Sequence, residues 1–252
     1  MRAVVFDLFG TLSDPTVEIT RREVMAETAR ALGVGPDEFW VQLSASFPDR
    51  IVGRYGGTRQ TLTFLAQQCG ATPSQEQFER ALLVHLAGAR RLRAPRPGAL
   101  EVLTELRRRG YRLAVLSDCS SEVAEGWLDS PYDQLVDAAV LSWQEGYRKP
   151  DPRLYATVTR RLAVPAEQCW YVGDGGGREL TGARAAHMTP VLVTNALVPA
   201  AAGHRADADD YIPALQVPDL LDLLNTVGDL LTATKIHQSV PLTDRFPDKI
   251  SR

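Results

Sequence analysis

The sequence predicts an α/β protein built on a doubly wound, Rossmann-like parallel sheet, with a helical bundle inserted behind its first strand. Three observations carry this. Short apolar runs without alternation end in a small or acidic residue: Ala3 to Phe6 before Asp7, Leu113 to Leu116 before Ser117, and Trp170 to Val172 before Gly173-Asp174. Such runs suit strands covered on both faces. Helical patterns lie between them, and strand-helix alternation marks a parallel sheet whose ligands bind at the carboxyl ends of its strands. Finally, residues 15–97 read as helix throughout, with no convincing strand.

Taken in order, the first strand is Ala3 to Phe6. Helices are then expected over Val17 to Leu32 with Gly33 as the stop, Pro36 to Ser46, Thr58 to Cys69 followed by Gly70, and Ser74 to Arg91. Ser74 and Gln77 have capping-box spacing, which marks the start of the last of these. Helices joined by short loops predict a small bundle sitting over the sheet. Gly98 to Arg109, closed by Gly110, leads into the strand that ends at Ser117. Ala138 to Leu141 and Val191 to Val193 are further strands, with a short edge strand at Tyr211-Ile212. Helices over Asp151 to Ala163, stopped before Pro165, and Glu179 to His187 complete the alternation. The expected division is a core of residues 1–14 and 98–232, a helical cap of 15–97, and a tail of 233–252, where periodicity fades and order is expected to be poor.

Composition narrows the function. With 252 residues, 44% of them hydrophobic and 23% charged, the chain can bury a substantial core. A formal net charge of -3 provides no global positive field for nucleic acid or an anionic membrane. The arginine clusters Arg90, Arg91, Arg93 and Arg107 to Arg109 fall at predicted helix ends, where cations complement the helix dipole. Three widely spaced cysteines without a CxxC pattern suggest neither a disulfide framework nor a zinc site. No apolar stretch approaches the roughly 20 residues of a membrane span. The expectation is a cytoplasmic protein, monomer or homodimer, with a small molecule as its partner.

The chemistry-bearing residues sit at the predicted strand ends. Phe6-Asp7-Leu8-Phe9-Gly10-Thr11-Leu12 places an acid at the mouth of a buried strand, followed by a glycine turn. Alone, Asp7 could merely cap the next segment. Ser117-Asp118, Lys149 within Gly146-Tyr147-Arg148-Lys149-Pro150-Asp151-Pro152, and Gly173-Asp174 with Glu179 beyond it add a hydroxyl, a cation and further carboxylates. Together these form a phosphate-handling set. Blander roles stay open: Ser117 bonded to its own backbone, Lys149 solvated, Glu179 an ordinary first-turn helix glutamate. Gly175 to Gly177 make a flexible turn that fits neither a dinucleotide fingerprint nor a P-loop.

In this order, over Met1 to about Thr232, the motifs resemble those of the haloacid dehalogenase-like superfamily. The resemblance implies a parallel sheet under a mobile helical cap, with Asp7 as a nucleophile that forms an aspartyl-phosphate. It implies Mg2+ held by Asp7, the backbone carbonyl of Phe9 and Asp174, with Glu179 acting through metal-bound water. Lys149 would neutralise the phosphoryl oxygens while Thr11, Ser117 and nearby backbone N–H groups donate to them. Phe9, Gly10 and Asp118 would face the substrate.

One position departs from the pattern. Phosphatases of the superfamily usually carry a second aspartate where this chain has Phe9, and losing a general acid costs on the order of a hundredfold to ten-thousandfold. Three explanations compete. A dehalogenase displaces halide and needs no proton there, but the resemblance implies Ser-Ser-Asn where this chain has Gly173-Asp174, and an asparagine where it has Asp118. A phosphatase could act on good leaving groups or draw a proton donor from the cap, where Arg54, Tyr55, Arg59 and His85 are candidates and Arg54 and Tyr55, in a glycine-rich loop, are best placed. A third protein could bind a phosphorylated ligand without turnover. The expectation is a magnesium-dependent phosphatase for a small phosphorylated metabolite.

Overall fold

Six parallel strands form the centre of the computed structural model, which describes residues 2–198 and 207–226. They are β1 (Ala3–Phe6), β2 (Arg112–Ser117), β3 (Ala138–Leu141), β4 (Cys169–Gly173), β5 (Thr189–Val193) and β6 (Leu215–Val217), in the order β3-β2-β1-β4-β5-β6. Strand order reverses beside β1, so the carboxyl ends of β1 and β4 flank the crevice where such sheets bind ligands. Both faces of the sheet are covered. Val4 and Phe6 belong to one buried cluster, Ala3 and Val5 to the other, which is why the strand reads as a continuous apolar run.

The segment between β1 and β2 holds α1 (Thr16–Ile19), α2 (Arg21–Leu32), α3 (Pro36–Ala45), α4 (Phe47–Arg50), α5 (Thr58–Gln68) and α6 (Gln75–Leu92), followed by α7 (Ala99–Arg108) on the sheet. Residues of α2, α3, α5 and α6 form a third apolar cluster around Phe39, Leu62 and Leu65. Ser13 and Pro95, at the two ends of the insertion, are joined by an antiparallel bridge. Further helices are α8 (Ser121–Glu125), α9 (Ser142–Glu145), α10 (Pro152–Leu162) and α11 (Glu179–Ala185). Among the described residues no helix is long and apolar enough to cross a membrane.

Helix starts and stops follow local chemistry. Gly33 and Gly70 take left-handed conformations at the ends predicted for them, and the Ser74–Gln77 capping box forms in both directions. Two expectations fail. The helix predicted from Val17 breaks at Thr20, whose hydroxyl donates to the Val17 carbonyl at 2.9 Å. The edge strand is Leu215–Val217 rather than Tyr211-Ile212. Tyr211 packs its ring under Arg184 and its N–H donates to Asp209, while Ile212 is 69% exposed. Arg93 is buried and donates to the carbonyls of Glu122 and Gly126, and Arg108 and Arg109 pair with Glu105, so these arginines are spent within the fold. The predicted tail lies outside the described residues.

Candidate active site

Asp7 follows β1 directly, and its N–H extends the ladder by donating to the Val172 carbonyl at 2.9 Å. The chain then turns sharply. Gly10 sits at φ 75°, and a Cβ there would come within 2.6 Å of Asp174 Oδ2, so both conformation and closeness require glycine. The Gly10 carbonyl accepts from Asn195 Nδ2 at 2.8 Å; Asn195 accepts from Arg96 at 2.8 Å, and Arg96 pairs with Asp219 at 2.5 Å. This chain ties the turn to the far end of the sheet. Arg96, Asn195 and Asp219 carry no motif, because their role exists only once β5 and β6 stand beside β4.

β4 delivers Asp174, and the following turn brings Glu179 back beneath it. Glu179 Oε1 accepts from the Gly175 N–H at 2.9 Å, and Oε2 accepts from the Tyr171 hydroxyl at 2.9 Å. Lys149 closes the group. Its ammonium lies 2.7 Å from Asp7 Oδ1 and 2.5 Å from Glu179 Oε2, and its N–H donates to Asp118 Oδ1 at 2.9 Å. The sheet topology thus gathers Asp7, Asp118, Lys149, Asp174 and Glu179 from four chain segments.

The electrostatics are those of a crowded acid cluster. Burial, then the charge of Glu179, with Asp174 adding to it, holds the Asp7 carboxyl well above the usual carboxylate range against the opposing pull of Lys149. Burial alone would depress Lys149, but the charges of Asp7, Glu179 and Asp118 outweigh it and keep the ammonium protonated. Carboxylate oxygens of Asp7, Asp174 and Glu179 all lie within 4.8 Å of one another. An all-oxygen, net-negative set of this kind fits a hard divalent cation such as Mg2+. Asp7 and Asp174 suit direct contact; Glu179 has both its oxygens engaged with Gly175, Tyr171 and Lys149.

Asp7, Phe9, Gly10, Asp118, Lys149 and Asp174 open into a cavity of about 350 Å³. Its other wall comes from the helical insertion. Arg21 stands 5.1 Å from the centroid of the Phe9 ring, held by Glu18 through two hydrogen bonds of 2.7 and 2.6 Å. Arg50, Phe47, Trp40 and His85 share that wall. His85 is buried with Nδ1 3.3 Å from the Thr28 hydroxyl, and burial holds its pKa down.

Several expected residues lie elsewhere. Arg54 pairs with Asp49 at 2.7 Å on the surface, Tyr55 stacks on Phe64, and Arg59 takes both oxygens of Glu79; none lines the cavity. The glycine-rich loop folds against Trp143 instead, whose Nε1 donates to the Gly56 carbonyl at 3.0 Å. Thr11 and Ser117 are buried behind the cavity wall. Among the described residues the Thr11 hydroxyl has no hydrogen-bond partner and that of Ser117 reaches only the Asp118 carbonyl at 3.5 Å. Glu18, Arg21 and Arg50 were not legible as site residues, since only the packing of α1, α2 and α4 over the sheet turns them inward.

The family model for haloacid dehalogenase-like hydrolases matches residues 1–187. The glyceraldehyde 3-phosphate phosphatase of Methanopyrus kandleri is 26% identical over 241 residues, 91% of this chain and 98% of the relative. The (S)-2-haloacid dehalogenase 4A of Burkholderia cepacia is 30% identical over 70% of this chain and 79% of its own length. A 2-haloacid dehalogenase structure from Pseudomonas syringae pv. Tomato superposes with a TM-score of 0.65 at 24% identity, covering 91% of this chain and 99% of that one. A HAD phosphatase from Thermococcus onnurineus gives 0.60 at 20% identity over 90% and 98%. The structural likenesses establish the fold; the two relatives carry different chemistries.

Proposed function

The chain belongs to the haloacid dehalogenase-like hydrolase family, and on that premise we propose that it is a magnesium-dependent phosphatase acting on a small phosphorylated metabolite. The observation that carries this reading is Asp174, set with Glu179 and Asp7 so that their oxygens lie within 4.8 Å. A dehalogenase working without metal gains nothing from carboxylates that raise the pKa of its nucleophile.

In this mechanism Lys149 and backbone N–H groups of the turn after β1 orient the phosphoryl group. An Asp7 carboxylate oxygen attacks phosphorus, the bond to the leaving oxygen breaks, and an aspartyl-phosphate forms; water then attacks the same phosphorus and releases phosphate and free Asp7. Bound by Asp7, Asp174 and the Phe9 carbonyl, with Glu179 behind them, Mg2+ would cancel the repulsion between carboxylate and phosphate. The helical insertion acts as the cap, and its cavity wall excludes water during transfer. Phe9 donates no proton, so the leaving group departs as a stable anion and is protonated only after release. The partner in this reading is a metabolite, with neither nucleic acid nor membrane involved.

The test is phosphate release with and without Mg2+ from p-nitrophenyl phosphate and from an alkyl phosphate. Hydrolysis abolished by EDTA and on the order of a hundredfold faster for the nitrophenyl ester is expected. Equal rates on both esters would sink the leaving-group argument. Phe9 also supports a second reading as a dehalogenase, for which halide release from a 2-haloacid in EDTA is the signature.

A further inference from the structure

Among the described residues four cations line the cavity, and three of them are paired with acids. Lys149 contacts Asp7 and Glu179, Arg21 is paired with Glu18, and Arg148 lies 3.9 Å from Asp207. Arg50 is the exception. It is 8% exposed, yet among the described residues no carboxylate lies within 4.0 Å of it. Its Nε donates to the Ser46 hydroxyl at 3.1 Å, Nη1 to the Ser120 hydroxyl at 2.8 Å, and Nη2 to the Leu43 carbonyl at 3.0 Å, all neutral acceptors. A guanidinium has five N–H groups, so two remain. Arg93 is as buried and also held by neutral carbonyls, but it lies off the cavity wall.

Glu122 lines the same cavity but makes no ion pair with Arg50; a buried charge with no carboxylate in contact is costly, and the cost is recovered when an anion arrives against it. Burial depresses the Arg50 pKa, with the nearby charge of Glu122 offsetting this in part and that of Arg21 adding to it. Met25, Leu43, Phe47 and Leu92 give the surrounding wall an apolar character that strengthens any ion pair formed there. The side chain is also held in place. Ser120 follows closely on the end of β2, and the next cap residue, Ile51, accepts from the Ser142 hydroxyl at 2.7 Å, the same hydroxyl that accepts from the Cys119 N–H.

We propose that Arg50 is a specificity-determining residue that receives a carboxylate at the far end of the substrate, which makes the substrate class the phosphate monoesters of small hydroxy acids. This rests on the phosphatase reading of the same cavity, whose volume of about 350 Å³ suits a molecule of that size. Asp7 and Lys149 take the phosphoryl end; Arg50 takes the acid end.

The probes are 3-phosphoglycerate and glycerol 3-phosphate, which differ by a carboxylate against a hydroxymethyl group. Their affinities are measured calorimetrically in Mg2+ for the wild type, Arg50→Met and Arg50→Lys. The wild type is expected to bind the acid about tenfold or more tightly, the preference to collapse in Arg50→Met and to survive in part in Arg50→Lys. Using the ratio within each protein separates recognition from damage, because a variant that merely loosens α4 weakens both ligands alike. Equal affinity of the wild type for the two ligands, including binding of neither, overturns the proposal, as does an unchanged ratio in Arg50→Met. Failure of the phosphatase reading has a separate signature: no phosphate release from p-nitrophenyl phosphate while the binding preference persists.

Discussion

Gly10 shows how tightly single residues constrain this site. Its positive φ and the 2.6 Å that would separate an added Cβ from Asp174 Oδ2 leave no room for a side chain between the two carboxylate-bearing segments. Gly10→Ala is therefore expected to push Asp174 away from Asp7 and to lower kcat/KM on the order of a hundredfold, with the fold retained by circular dichroism. Wild-type kcat/KM in that variant would show that the spacing is unimportant. Asp7 and Asp174 stand out locally as acids closing apolar strands, but Lys149 and Glu179 join them in the sequence only through the order of the motifs and the resemblance that order carries. Arg54 and Tyr55 misled because a glycine-rich loop reads as mobile and available, whereas this one is folded against Trp143. Arg50 left no local signal at all, lying in a short helix whose meaning depends on Ser120, which is 70 residues away.

Among elements, the buried strands were the most legible, since coverage on both faces imposes an unbroken apolar run on each. β6 leaves little trace in the sequence because a three-residue edge strand, Leu215–Val217, buries only part of itself and stands between Pro213 and Pro218. The α2–α6 contact supplies a pH dependence. His85 on α6 is buried against Thr28 of α2, and burial holds its pKa below the unfolded value of about 6.5. Folding thus favours the neutral ring. That contribution is complete above the unfolded pKa and is lost as pH falls below it, because the unfolded chain binds the proton more readily. Between pH 7.5 and 5.5 the wild type is expected to lose more melting temperature than His85→Gln. Parallel losses in the two proteins would remove His85 from the account.

At the scale of the whole molecule, the reversal of strand order beside β1 sets Asp7 and Asp174 at the ends of adjacent strands, and the inserted helices close the cavity over them. The alternation of strands and helices made this architecture legible; how the insertion faces the sheet was not, because no periodicity encodes the packing of one layer on another. The same scaffold serves relatives that are phosphatases and relatives that are dehalogenases, so the fold leaves the chemistry to the carboxylates at the strand ends. The most direct test of the central claim is mass spectrometry of protein quenched within milliseconds of mixing with p-nitrophenyl phosphate and Mg2+. One phosphoryl group is expected on the peptide carrying Asp7, absent in EDTA and absent in Asp7→Asn, which should also lose turnover. Phosphate release that continues undiminished in Asp7→Asn, with no adduct on that peptide, would contradict it.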